Sequence, residues 1–290
     1  HPARLPPPPP PGPPQQATGQ TGAPQAAARK SYAEAYVTPN TTPRRPPVPM
    51  KDPYEPLGVR VGTFLLKPSV EVTRGFDSNP SRAQNGASSP YTVVAPELQL
   101  RSEWSRHEWN ATLRGSYSTY DKDSSLDRPQ IDGKTNGRFD VTRDTSIVTE
   151  GRLFVSTDNP GSPNVQAGLA RLPIYASYGS SVGLVQRFNR LELTVKGGMD
   201  STRFQKSELT DGTTSSNRDR DYDQYSGQFR ASYEVMPGIR PFVELGADVR
   251  RHALSVDRNG VQRDSRAWTP RAGTTFELTR TLTGEVSAGY

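Results

Sequence analysis

A chain of 290 residues can fill one large domain or two small ones, yet only 32% of it is hydrophobic, which is lean for an ordinary globular core of that size. The absence of cysteine excludes disulfides, thiolate zinc sites and a cysteine nucleophile. The net charge of +6 does not mark a nucleic-acid binder, because 36 basic residues are interspersed with 30 acidic ones rather than gathered in a stripe.

Residues 1–57 come first. Seventeen of the 28 prolines precede residue 57, in runs such as LPPPPPPGPP at 5–14 and TTPRRPPVPM at 41–50, with almost no large apolar residue. Such a segment cannot pack a core, so it is expected to be extended, polyproline-like and disordered, a spacer rather than a domain. No run approaches the roughly 18 apolar residues of a membrane-spanning helix. The chain starts at His1 rather than methionine, so the lack of a signal peptide carries no information.

From residue 61 onward the pattern has a period of two. TFLLKPSVEVTRGF puts Phe64, Leu66, Val70 and Val72 on one face and Lys67, Ser69, Glu71 and Thr73 on the other. The same alternation runs through Val94–Trp104, Trp109–Tyr117, Leu191–Met199, Phe229–Val235, Ile239–Val249 and Leu282–Tyr290, with less clean strands near 136–144, 146–156 and 173–187. Sustained alternation predicts strands, not helices.

The connections alternate as strictly as the residues. Tight turns are predicted at 105–107, 144–145, 188–190, 236–239 and 279–281, and long polar loops at 77–92, 121–134, 157–171, 207–221 and 255–264. Short turns at one end and long loops at the other are the signature of an outer-membrane barrel. The physics agrees. In hydrocarbon every backbone N–H and C=O must be paired within the protein, so a sheet crosses a bilayer only if it closes on itself. A closed sheet shows one face to lipid and the other to its lumen, which gives the period of two. Trp104, Trp109, Tyr120, Phe188, Phe204 and Tyr222 are the expected interfacial aromatics. The predicted fold is all-β, an antiparallel up-and-down transmembrane β-barrel over 58–290, preceded by a periplasmic Pro-rich segment over 1–57. About 11 strands are counted. Bacterial single-chain barrels have an even number, so the 290 residues are read as the N-terminal part of a barrel of at least twelve.

YEPLGVRVGTFLLKPSVEVTRGFDSNP at 54–80, followed by repeated hairpins to residue 290, resembles the "putative beta-barrel porin 2" outer-membrane family of Gram-negative bacteria. The resemblance implies location and fold more firmly than cargo; members of that family are often linked with envelope polysaccharide export.

The candidate lumen lining consists of the basic residues Lys67, Arg101, Arg114, Arg138, Lys196, Arg230, Arg250 and Arg271 and the acidic residues Glu71, Glu97, Asp140, Glu192, Glu234, Glu244, Asp248, Glu277 and Glu285. A wall of this kind either pairs its own charges structurally or lines an aqueous pore. With the signs nearly balanced, weak ion selectivity is expected. Catalytic candidates are thin: His107 beside Ser105 in a turn, and His252 with Ser255 or Asp257 nearby. The Asp-Arg repeat at 219–221 lacks the ligand spacing of a calcium loop. No catalytic, cofactor or metal site is assigned. The expected partners are outer-membrane lipid and lipopolysaccharide, with polysaccharide or small hydrophilic solutes as cargo and a periplasmic partner for the Pro-rich segment. A non-conducting structural or adhesive barrel is the alternative.

Overall fold

The computed structural model describes residues 57–162, 168–258, 260–277 and 282–290. The predicted Pro-rich spacer up to residue 56 and the predicted turn at 279–281 lie outside the described residues.

Strand β1 (Val59–Val61) folds back on β2 (Phe64–Asp77), followed by β3 (Ser89–Ser102), β4 (Glu108–Tyr120), β5 (Arg128–Asp140), β6 (Thr145–Thr157), β7 (Ile174–Phe188) and β8 (Leu191–Phe204). Two-residue strands β9 (Ser207–Glu208) and β10 (Thr214–Ser215) form a ribbon inside one connection, and β11 (Tyr222–Tyr233), β12 (Ile239–His252), β13 (Ser265–Glu277) and β14 (Thr283–Gly289) complete the series. Twelve of these strands form one sheet, in sequence order from β1 to β14, with β8 pairing directly with β11. Every junction is antiparallel, as from Tyr222↔His252 to Ser232↔Phe242 between β11 and β12. Among the described residues β14 pairs only with β13, so the sheet is open.

The eleven long strands match the predicted count. The twelfth, β1, was not expected; Gly62 at φ 61° lets three residues turn back after a two-residue loop. Short connections at 62–63, 103–107, 141–144, 189–190 and 234–238 share one end of the sheet, and long ones at 78–88, 121–127, 158–173, 205–221 and 253–264 share the other. The predicted loop at 121–134 is thus too long. Gln130, Asp132 and Lys134 belong to β5 and alternate with Ile131, Gly133 and Thr135, so polarity there marks a strand face rather than a loop.

Register sorts the strand residues into two faces. Val70, Val94, Tyr117, Leu113, Leu153, Val182, Val195, Phe229, Val243 and Val286 occupy one face, and all are exposed. The other face bears the ions. Val243 is 57% exposed and its neighbour Glu244 only 4%, the reverse of a soluble sheet. Charged side chains are therefore crowded together on the inside of the sheet's curl and aliphatic ones stand outside. The buried side of the sheet mixes these ions with Ala95, Tyr120, Tyr175, Val185 and Phe242.

Three predicted interfacial aromatics are corrected by this register. Tyr120 lies opposite Tyr91, Phe204 opposite Tyr175 and Tyr222 opposite His252, all on the charged face. The apolar face instead ends in Phe64, Trp109, Phe139 and Phe188 toward the short turns and in Phe76, Tyr178, Tyr225 and Trp268 toward the long loops. Trp104, in a short connection, meets the Phe64 ring edge-on at 5.3 Å, and Trp109 does so at 5.7 Å.

Candidate functional site

The charged face is the only surface where polar side chains converge from many strands among the described residues. Its geometry follows from glycines. On β7, Gly179 and Gly183 leave gaps through which β6 and β8 reach each other. Arg152 on β6 donates to both carboxylate oxygens of Asp200 on β8, at 2.8 Å each, passing over Gly179. A Cβ at Gly179 would lie 2.0 Å from the Asp200 carboxylate oxygen. Lys196 on β8 donates to Glu150 on β6 at 2.6 Å, and the Ser181 hydroxyl donates to the same carboxylate at 3.2 Å.

A second network spans β11 to β14. Arg230 donates to Glu244 at 3.3 Å, to Thr275 at 3.2 Å and to Glu285 at 2.8 Å, while its guanidinium stacks 3.6 Å above the Phe242 ring. Arg271 donates to Glu285 at 2.9 Å and lies 3.6 Å from Glu244. Two arginines and two glutamates thus balance, and the Glu244 side chain is 1% exposed. Burial of a carboxylate to this degree requires such partners.

A third locus is a cleft of about 490 Å³ between β2 and β5, lined by Glu71, Glu97, Arg114, Gln130 and Asp132 together with Thr and Ser hydroxyls. Arg114 reaches Glu71 at 3.2 Å and Glu97 at 4.0 Å, with Asp132 directly across on β5. Unlike the two networks, this pair is half open to solvent.

All strand-borne candidates fall on this one face: Lys67 and Glu71 on β2, Glu97 and Arg101 on β3, Arg114 on β4, Arg138 and Asp140 on β5, Glu192 and Lys196 on β8, Arg230 on β11, Glu244, Asp248 and Arg250 on β12, Arg271 and Glu277 on β13, and Glu285 on β14. Glu234 sits just beyond β11 in a short connection, 3.5 Å from Arg240. Glu192 pairs with Arg187 at 2.7 Å. Gln224 bridges Arg250 and Asp248, accepting at 3.1 Å from the one and donating at 3.0 Å to the other. The predicted lining left out Glu150, Arg152 and Asp132, and also Asp200, although the alternation from Leu191 to Met199 already puts Asp200 on the polar side. The β6 pattern hides its face, because Val148 and Phe154 accompany its ions while Thr149 and Gly151 lie on the apolar side. Parity counted back from Lys196 across β7 would have found them.

At the long-loop end three connections are tied together. Adjacent residues of a short 3-10 turn, Arg218–Arg220, reach in opposite directions. Arg220 pairs with Asp158 at 2.6 and 2.9 Å and stacks 3.9 Å over Phe204. Asp219 accepts from Arg258 at 2.8 Å twice. The Arg258 hydrogen bonds hold the Asp219 carboxyl below its ordinary range, and the same contact raises the arginine. The Gly168 carbonyl accepts from Thr210 N–H at 2.8 Å, and Ala170 N–H donates to Glu208 at 2.8 Å.

The histidines take other roles than the catalytic candidates required. The carboxylate 3.3 Å from the His252 Nδ1 is Asp264 rather than Asp257, which pairs with Arg263 at 2.7 Å. Asp264 is held below its usual range, chiefly by the His252 N–H. His107 Nδ1 accepts from the Asp140 N–H at 3.1 Å, bracing a turn. Among the described residues no group of three or more His, Asp or Glu side chains is arranged to hold a metal.

Residues 52–290 match the family model described as "Putative beta-barrel porin 2". No curated protein matches. Among solved structures the chain is similar to the Pseudomonas putida toluene transporter TodX, at 10% identity and TM-score 0.37 over 79% of this chain and 74% of that one. It is also similar to an outer membrane channel from Pseudomonas putida F1, at 10% identity and TM-score 0.37 over 82% and 91%. A third likeness is to the translocator domain of the autotransporter NalP from Neisseria meningitidis, at 11% identity and TM-score 0.31 over 81% and 84%. At these TM-scores none of the three bears on function.

Proposed function

This chain belongs to the "Putative beta-barrel porin 2" family, and on that premise we propose that it is an outer-membrane, porin-like channel whose charged face lines a hydrated path for hydrophilic solutes or envelope polysaccharide. One observation carries the reading. Aliphatic side chains such as Val70, Val182, Val243 and Val286 stand open on one face, while the ion Glu244, next to Val243 in the chain, is buried on the other. That arrangement is stable when the outer face meets hydrocarbon and the inner one meets water. The open cleft around Arg114 supplies a hydrated stretch of wall where solute hydroxyls could exchange hydrogen bonds with Glu71, Glu97 and Gln130.

The test is single-channel recording of the refolded protein in planar bilayers. Discrete steps of weak ion selectivity are expected, since acidic and basic residues balance along the wall. Silence from folded, inserted protein would overturn the channel. It would favour the second reading, a non-conducting barrel acting through its loops, which the Asp158–Arg220 and Asp219–Arg258 ties between three connections favour.

A further inference from the structure

The apolar face carries charge at one end only. On the strands of the main sheet its charged residues are Arg74, Arg203, Asp223, Arg251 and Arg266, all within four residues of a long connection. Toward the short turns the same face ends without a charge, on Phe64, Trp109, Phe139 and Phe188. A bare end of the apolar band is thus built from aromatics here, so arginines are not needed merely to close it.

Arg74 is engaged by Asp121, and Arg203 pairs with Asp223 at 2.6 Å. Arg251 and Arg266 are exposed and form no ion pair within 4 Å among the described residues. They lie on adjacent strands: Arg251 faces Asp223 across β11–β12, and Arg266 faces Val249 two residues back along β12. The nearby loop carboxylate Asp264 accepts from the His252 N–H and also acts through space on Arg251. Arg203 and Arg251 thus each have a carboxylate beside them, whereas Arg266 has none within 4 Å among the described residues. Below these arginines on the same face stand Tyr225, Val249 and the Trp268 ring, which is 68% exposed.

We propose that Arg203, Arg251 and Arg266 form a site for the phosphate group of an anionic lipid, whose acyl chains lie along Tyr225, Val249 and Trp268. The proposal rests on the reading that the apolar face meets lipid. Guanidinium groups match phosphate oxygens bidentately and are weakly hydrated, so they suit a headgroup contact at the edge of an apolar surface. Their aliphatic stems can lie on the apolar band while the charged heads reach the headgroup layer. The occupant is a lipid rather than free phosphate, because the arginines stand next to the exposed Tyr225 and Trp268 rings on the apolar face.

The full chain is reconstituted in phosphatidylethanolamine nanodiscs doped with a bis-phosphorylated glucosamine lipid, and lipid retained after extraction is read by native mass spectrometry. The wild type should retain the phosphorylated lipid in the presence of inorganic phosphate. Arg251→Gln/Arg266→Gln should lower retention about fivefold for each arginine neutralised. Arg251→Lys/Arg266→Lys should fall between, and Arg74→Gln should leave retention unchanged. Equal retention by the wild type and by either double variant overturns the site, and displacement by inorganic phosphate overturns the lipid as occupant. Failure of the wild type to enter nanodiscs overturns the membrane reading beneath both, and is separated from loss of the site by that insertion step.

Discussion

Glu244 offers the sharpest perturbation of the ionic wall. Its side chain is 1% exposed, accepts from Arg230 at 3.3 Å and lies 3.6 Å from Arg271. Glu244→Gln keeps the shape and removes the charge, leaving two buried arginines to share Glu285. Removing one partner of a buried pair costs about 3–5 kcal/mol. Glu285 remains at 2.8 and 2.9 Å from the two arginines, and Phe242 still stacks under Arg230, so the low end applies. A loss of about 3 kcal/mol is expected, roughly a 150-fold drop in the folding equilibrium at 1.4 kcal/mol per decade. Urea unfolding in micelles, followed by tryptophan fluorescence and heat-modifiable mobility, measures it. Combining Glu244→Gln with Arg271→Met should cost less than the sum of the two by about 1–2 kcal/mol, because the second change removes a charge the first has stranded. A change below about 1 kcal/mol for Glu244→Gln alone would mean that water screens this wall and that the network does not hold the sheet.

Two further expectations concern the gaps and the loops. Gly179→Val should destabilise by about 3 kcal/mol through overpacking and loss of the Arg152–Asp200 pair, whereas Gly197→Val, with no atom nearer than 4.0 Å on the apolar face, should change little in the same unfolding assay. For the loop tie the sign follows from Asp219, whose folded pKa is depressed: its contribution is full above the unfolded value of about 3.9 and is lost as pH falls through the folded value. Distances between spin labels at Thr213 and Val256 should therefore stay fixed from neutral pH to about pH 4 and broaden only in stronger acid, while Asp219→Asn should broaden them at neutral pH. A distribution independent of both would remove the tie.

Much of this fold was legible because a sheet with two unlike solvents writes its faces directly into alternate residues. Val243-Glu244-Leu245 reveals its parity without any structure, and the spacing of turns and loops gives the up-and-down order. Legibility failed where parity is carried by small or mixed residues. The β5 stretch beginning Pro129-Gln130-Ile131-Asp132-Gly133-Lys134 reads as polar loop until its pairing with β4 puts Asp132 opposite Arg114. Tyr120, Phe204 and Tyr222 read as interfacial rings, yet one residue of phase moves each to the ionic face, where Arg128, Arg220 and Arg250 lie over them. The candidate wall residues were identifiable singly; their partners were not. Arg152 meets Asp200 and Arg230 meets Glu285 across intervening strands, 48 and 55 residues away, and only the glycine gap and the curl of the sheet bring such pairs together.

If one face of the sheet meets lipid and the other water, alternate residues of a single strand must sit in different solvents. Nitroxides placed singly from Pro241 to Val249 on β12, in reconstituted bilayers, measure it through collision with oxygen and with a polar nickel chelate. Odd positions such as Val243, Leu245 and Ala247 should collide preferentially with oxygen, and even positions such as Phe242, Glu244 and Asp248 should be the polar or sheltered ones, with a strict period of two. Odd positions open to the nickel chelate, or no alternation at all, would contradict it.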